Sequence, residues 1–459
     1  MLAEAAALPG TTPVLRTPRD ADADRKEFAQ NISNQTYKEW PNEAGFDGLT
    51  EERGPLELTV RGHIPDWAAG SLYRTGPGAC KVENSPKGTH YVTHWFDGFA
   101  HTHLFRIVPA DEAAGAPLRV VYSSRRQAET LVSEIRAQGM RNAYSFGQRR
   151  DPCIGLFGKV MSMFQRQPQG SNGDDTPSGG HRNGVRNVWI STDASMLVEA
   201  DPDTLEPVGV ARQSKLHPDL KGPSSCAHAQ RDPETGDLFN YNLDFGRTAT
   251  YRVFRVSAAT GKTDILATIS DAGAKAGYMH SFFLTPSYVV LCIPVAHFGL
   301  AGLKVPWNRN ILDSIEAFDA TQRCKWLVVD RRGKKGLVAS FDTPAAFFFH
   351  SVNAFEETSP DGSVVDLFCD VIEYPNQDVI RSFSYDVLLD RNDAAKKFWG
   401  EKNRLQTLHP RLARYRLGVA QRSYLLCLNA RDLTELGRAE CPFSIGLGFH
   451  GVHAPTGYL

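Results

Sequence analysis

Four histidines, His228, His280, His350 and His450, are the residues of this chain best suited to act together. Each stands in its own hydrophobic, strand-like segment: Ser225-Cys-Ala-His-Ala-Gln, Tyr278-Met-His-Ser-Phe-Phe, Phe347-Phe-Phe-His-Ser-Val-Asn and Gly448-Phe-His-Gly-Val. An all-imidazole donor set suits Fe, Zn, Cu or Ni, whereas Mg and Ca prefer oxygen. A single buried histidine is ordinarily satisfied by a neighbouring carbonyl, so the argument rests on four in like contexts. Weaker rivals exist. His94, His101 and His103 lie close in sequence, the last two on one strand face, and Cys226 stands two residues before His228.

The four are separated by 52, 70 and 100 residues, so no local turn can gather them. A closed, radially arranged fold could. The chain repeats a strand, a tight polar turn and another strand, as in Asn187-Val-Trp-Ile-Ser-Thr-Asp followed by Leu197-Val-Glu-Ala-Asp-Pro-Asp-Thr-Leu. Pro233-Glu-Thr-Gly and Pro360-Asp-Gly read as hairpin turns. Recurrent hairpins with little helical periodicity predict an all-β chain, a β-propeller at ~40–45 residues per blade. Two β-sandwiches are the alternative, but they would not focus dispersed residues on one axis. Helical signal is confined to short stretches such as Asp390–Asn403, where Ala394, Ala395 and Phe398 share one face.

Residues 1–35 read as a flexible arm, and 36–459 as a single domain interrupted by a breaker-rich loop at 165–184, expected to be disordered. Fifty-one basic against 52 acidic residues leave a net charge of −1, which gives nucleic acid no reason to bind. Eight cysteines without a CxxC pair are expected to be reduced core residues in the cytosol. No signal peptide is expected at the N-terminus. The most apolar stretch, Tyr288 to Leu303, is broken by Pro294 and His297 and falls short of the ~20 apolar residues of a spanning helix. Residues 151–166 form an amphipathic segment, with Ile154, Phe157, Met161 and Phe164 at helical spacing and Leu156 and Val160 widening the apolar sector. Lys159, Arg149, Arg150 and Arg166 flank it, which fits a monotopic contact with a phospholipid surface.

In order, the histidine contexts resemble the carotenoid cleavage oxygenases, the family of the retinoid isomerase of the vertebrate eye. Gly70-Ser-Leu-Tyr-Arg-Thr-Gly-Pro-Gly, His94-Trp-Phe-Asp-Gly, Asp151-Pro-Cys and His280-Ser-Phe-Phe-Leu-Thr-Pro-Ser-Tyr add to the resemblance, which runs from Gly70 to Val452. The flavour is most similar to fungal enzymes that make retinal from β-carotene or shorten torulene. The resemblance implies a seven-bladed propeller with a loop and helix cap, Fe(II) on its axis held by His228, His280, His350 and His450, and no organic cofactor. It implies O₂-dependent cleavage of a carotenoid double bond to aldehydes, by a cytoplasmic protein peripheral to membrane or lipid bodies. Stilbene cleavage and retinoid isomerisation share the scaffold. His94, His101 and His103 then belong to a structural strand motif. Of three glutamates that orient ligands in the family, Glu199 matches the first and is expected to orient His280.

The other two glutamates have no counterpart. Pro410-Arg-Leu-Ala-Arg-Tyr-Arg-Leu runs through Gly418-Val-Ala-Gln-Arg straight into Tyr424-Leu-Leu-Cys-Leu, where relatives carry a stretch on the order of two blades. Glu401, Glu435 and Glu440 are the stand-ins at hand. The gap between Leu417 and Tyr424 predicts an incomplete ring that binds iron poorly, or an inactive scaffold for lipid or protein contacts.

Overall fold

The computed structural model describes residues 45–149, 188–420, 424–428 and 435–440, short gaps apart, with isolated positions before residue 31. The described residues are mostly antiparallel strands. Five sheets of three or four strands follow one another along the chain. The first joins Leu56–Leu58, Gly70–Ala79, Phe99–Val108 and Arg119–Arg126. The second is a meander of Val188–Ser191, Met196–Ala200 and Pro207–Arg212. The third runs Gln230–Arg231, Leu238–Asp244, Thr250–Val256 and Thr263–Ile269 in sequence order. The fourth runs Phe283–Leu284, Tyr288–Ile293, Arg323–Asp330 and Leu337–Pro344. Phe347–Thr358, Val364–Tyr374 and Arg411–Ala420 make the fifth, and a separate hairpin, Tyr424–Leu428 with Glu435–Glu440, follows.

Each sheet touches the next. Tyr73 donates to the carbonyl of Pro202, joining first to second at 2.9 Å. Ala194 bridges to Ser224 between second and third. Tyr241, Tyr251 and Val253 of the third sheet share one core with Val289, Leu291, Leu327 and Val329 of the fourth. The opposite face of the fourth, Val290, Cys292, Trp326 and Val328, packs on Val365, Leu367, Cys369 and Leu417 of the fifth. This is why Tyr288–Ile293 is apolar without alternation: all six residues are buried, three toward each neighbouring sheet. At ~1.5–3 kcal/mol per buried aliphatic side chain, this central strand anchors the assembly. Arg331 and Asp232, both buried, form an ion pair between fourth and third sheets, and Arg331 also donates to the carbonyl of Thr285 at 2.8 Å.

Pro233–Gly236 is the expected hairpin turn, with Gly236 at φ +74° and its N–H bonded to the carbonyl of Asp232. Pro360-Asp-Gly lies outside the described residues, though its flanking strands pair with Thr358 opposite Val365. The helix expected from Asp390 forms as a 3₁₀ turn at Arg391–Asp393 and a helix at Ala394–Gly400. Cys80, Cys226, Cys292, Cys324 and Cys369 are free and buried, in keeping with core residues. Among the described residues no helix is long and apolar enough to cross a membrane. Among the described residues five such sheets form and no closed ring is seen.

Candidate metal centre

His228, His280 and His350 occupy equivalent places in three successive sheets. His228 stands two residues before the first strand of the third sheet, His280 three residues before that of the fourth, and His350 inside that of the fifth. His350 sits where the ladder slips register between Phe348 and Ser351, a bulge that aims its side chain out of the regular pleat. Structural repetition therefore does what local sequence cannot: residues 52 and 70 positions apart converge.

The ligand nitrogens of the three all lie within 4.8 Å of one another. Nε2 of His228 is 3.0 Å from Nε2 of His280. Two ligands at right angles about one ion, each ~2.1 Å away, would stand about 3.0 Å apart. The rings meet edge to face, at 71° for His228 and His280, 89° for His228 and His350, and 76° for His280 and His350. Three mutually steep imidazoles around one point suit three adjacent corners of an octahedron. Burial depresses the pKa of His350 to about 4, helped by the other two rings, and lowers that of His228. At neutral pH both offer lone pairs, as a metal requires. Among the described residues this is the group that could hold a metal, and the donor set fits iron.

The carboxylate behind His280 is that of Asp193. Its two oxygens lie 2.8 and 2.9 Å from Nδ1 of His280, while Tyr278 donates its hydroxyl to Oδ2 at 2.8 Å and the N–H of Ala227 reaches Oδ1 at 3.1 Å. Such a partner fixes the ring and directs Nε2 at the ion. Glu199, expected to orient this ring, lies buried in Met196–Ala200, while the turn of the same hairpin presents Asp193 to His280. On the other side, Ser281 donates to the carbonyl of Phe349 and accepts from the N–H of Ser351, both at 2.7 Å. Ser351 donates to the carbonyl of Phe282 at 3.0 Å. These serines stitch the His280 segment to the His350 segment.

The loop carrying His228 is held by buried amides. Asn240 donates to the carbonyl of Cys226 at 3.0 Å, and Asn242 bonds both backbone groups of Gly222. Gly222 is obligatory, since a Cβ there would stand 2.2 Å from the carbonyl oxygen of Leu243.

An aromatic wall flanks the trio. Phe96 lies nearly parallel to His280, 6.3 Å between centroids, and contacts Phe146, Phe349 and Phe383 at 4.8, 5.8 and 5.5 Å. Asp97 fixes this wall by accepting from the N–H groups of Phe146 and Gly147 at 2.7 and 2.6 Å.

The rival histidines do not join the trio. His94 faces the carbonyl of Ile380 at 2.9 Å and accepts from the N–H of Phe96. His101 and His103 stack on each other, and His103 meets the hydroxyl of Tyr122. Glu401 pairs with Arg404. His450 lies outside the described residues, as do Ile154, Leu156, Phe157, Val160, Met161 and Phe164. Asp193, Tyr278, Ser281, Ser351, Phe146 and Phe383 were not singled out from sequence. Their adjacency to the strand ends that bear the histidines was the signal available.

The family model described as retinal pigment epithelial membrane protein matches residues 45–421 and again 418–455. The chain belongs to that family, the carotenoid oxygenases. It is 41% identical to a torulene dioxygenase of Gibberella fujikuroi, over 96% of this chain and 98% of the relative. To a carotenoid dioxygenase of Neurospora crassa it is 38% identical, over 98% and 97%. The solved lignostilbene dioxygenase of Pseudomonas brassicacearum shares its fold, with a TM-score of 0.53 at 16% identity over 86% of this chain and 77% of that one. With these named dioxygenases as its relatives, the chain is an oxygenase. The family match breaks at 418–421, the junction read from sequence as a gap. The alignment to the torulene dioxygenase spans 570 positions and takes in 96% of these 459 residues, about 440, which leaves roughly 130 positions without a partner.

Proposed function

We propose that this protein cleaves a carotenoid double bond with O₂ at an Fe(II) centre held by His228, His280, His350 and His450, giving aldehyde products such as retinal. The convergence of three steeply inclined imidazoles within 4.8 Å carries the reading. The torulene and carotenoid substrates named for its relatives support the substrate class. Bound iron would supply the activation of O₂ beside the alkene. The chain's own residues do the rest. Asp193 holds His280 in one tautomer, with the proton on Nδ1 and the lone pair of Nε2 toward the ion. Phe96 and Phe349 offer a polyene an apolar wall within 7 Å of His280 and exclude water from that side. No acid–base pair is needed, because the chosen bond is set by how far the polyene threads.

The five consecutive sheets are an arc of the propeller expected for the family, with the remaining arc lost at Ala420. A membrane surface is the source of substrate, since a long polyene is too apolar to cross water. Leu300, Leu303 and Trp307 support this: they are 68%, 63% and 37% exposed beside Lys304, on a segment bonded to Ser145 just before residues 151–166. Changing Leu300 and Leu303 to Glu is expected to abolish sedimentation with anionic vesicles, and unchanged sedimentation would remove the membrane contact.

Expression in bacteria that accumulate β-carotene or torulene tests the reaction. Bleaching with aldehyde formation, lost in His280→Ala, is the expected result. Bleaching that survives His280→Ala would overturn the metal mechanism. The gap at 418–421 favours a second reading, a scaffold that holds iron weakly. No bleaching, with iron far below one per chain, selects it.

A further inference from the structure

We propose that Cys226 is a positioning residue of the metal centre, its sulfur being the strut that sets the spacing between the segments of His228 and His280. The inference rests on the metal-centre reading above. Sγ of Cys226 accepts from the N–H of His228 at 3.2 Å and donates its proton to the carbonyl of His280 at 2.8 Å. One atom thus bridges the backbones of two ligands that come from different sheets. The side chain is fully buried and is not among the atoms that converge at the trio. It therefore acts on the ligands through their backbones rather than on an ion.

The strut has firm footings. The carbonyl of Cys226 accepts from Asn240, and Ser225 before it donates its N–H to the carbonyl of Asp193 at 2.9 Å. The hydroxyl oxygen of Tyr241 lies 2.9 and 2.8 Å from the carbonyls of Ser225 and Met279, with one proton to share between them, and so brackets the sulfur from both segments. The neighbouring ligand pair is also tied by one side chain that donates and accepts: Ser281, next to His280, bonds the backbones of Phe349 and Ser351 on either side of His350. A thiol in one place and a hydroxyl in the other, each both donating and accepting, make adjacent ligands a set of fixed spacing. Aligned ligands are what metal affinity depends on, and groups that orient them are typically worth ~10–100-fold in binding.

The test is titration of the full chain with Co(II), read by its visible absorption bands, alongside thermal melts. Cys226→Ala, which keeps every ligand, is expected to weaken Co(II) at least ~10-fold. Cys226→Ser, which keeps donor and acceptor, is expected to recover most of that loss. Cys369→Ala empties an equally buried thiol site between the fourth and fifth sheets and is expected to lower the melting point while leaving Co(II) affinity unchanged. If Cys226→Ala does not fold, Cys226→Val fills the volume without either hydrogen bond and takes its place. The inference falls if Cys226→Ala or Cys226→Val binds like the parent, or if Cys369→Ala loses as much affinity. A parent chain that takes up no cobalt removes the metal-centre reading itself, an outcome distinct from binding that is indifferent to Cys226.

Discussion

Asp193 is where the site can be broken with least damage to the sheets. Its carboxylate holds Nδ1 of His280, the hydroxyl of Tyr278 and the N–H of Ala227 at 2.8–3.1 Å. Asp193→Asn keeps one oxygen but loses the charge that raises the ligand's basicity, so Co(II) or Fe(II) affinity should fall about 10-fold, or ~1.4 kcal/mol. Asp193→Ala removes all three contacts and should cost closer to 100-fold. The Ala variant also leaves the buried hydroxyl of Tyr278 without its acceptor, adding about 1–3 kcal/mol of lost stability. Glu199→Gln should leave affinity within about twofold, since the carboxylate at Nδ1 of His280 is that of Asp193. Metal titration of the three variants, with melting points in parallel, is the assay. Equal affinity for Asp193→Ala and the parent, or a larger loss in Glu199→Gln, would refute the assignment.

Other outcomes follow from the packing. Gly222→Ala places a Cβ against the carbonyl of Leu243 and should lower stability by about 3 kcal/mol in denaturant unfolding. Arg331→Leu strands the buried carboxylate of Asp232 between the third and fourth sheets and should cost about 3–5 kcal/mol, whereas replacing both partners by apolar residues should cost much less. Buried His297 has its pKa lowered to about 4 from 6.5, mainly by burial and secondarily by Lys275. The unfolded chain therefore binds the proton first as pH falls. Stability from the neutral ring is complete above pH 6.5 and is lost as pH drops toward about 4, by at most ~3 kcal/mol before solvent screening. His297→Gln should flatten that part of a melting-point profile, and an unchanged slope would argue against it.

Three of the four histidines were legible because each lies in an apolar segment at the start of a sheet, a place that strand pattern and turn residues mark. The partner of His280 was not. Asp193 and Glu199 share one hairpin, and both are acidic residues near a strand end. Only the packing of the turn at Asp193 against Ser225 and Tyr278 decides between them, through contacts 32 to 85 positions distant. The aromatic wall was not legible: Phe96 and Phe349 adjoin motif residues, but a plain core explains such rings equally well. Phe146 and Phe383 come from connecting segments with no periodicity to expose them. Likewise Tyr288–Ile293 looked like the most membrane-like stretch because a strand buried on both faces needs no polar row.

The fourth ligand is a matter of chain reach. From Ala420 to Tyr424 the backbone can span no more than about 14 Å. The hairpin that begins at Tyr424 is therefore tethered beside the fifth sheet, at the junction where the family match breaks and where the further positions of a complete ring would fall. In a ring those positions would carry the chain around the axis, so that the last segment meets the first sheet and turns its histidine inward. His228, His280 and His350 do not share this dependence, because Asp193, Cys226, Ser281 and Ser351 fix them within the sheets that remain. We infer that most of the metal affinity of this chain comes from these three imidazoles, and that the loss of the arc weighs on the fourth ligand alone.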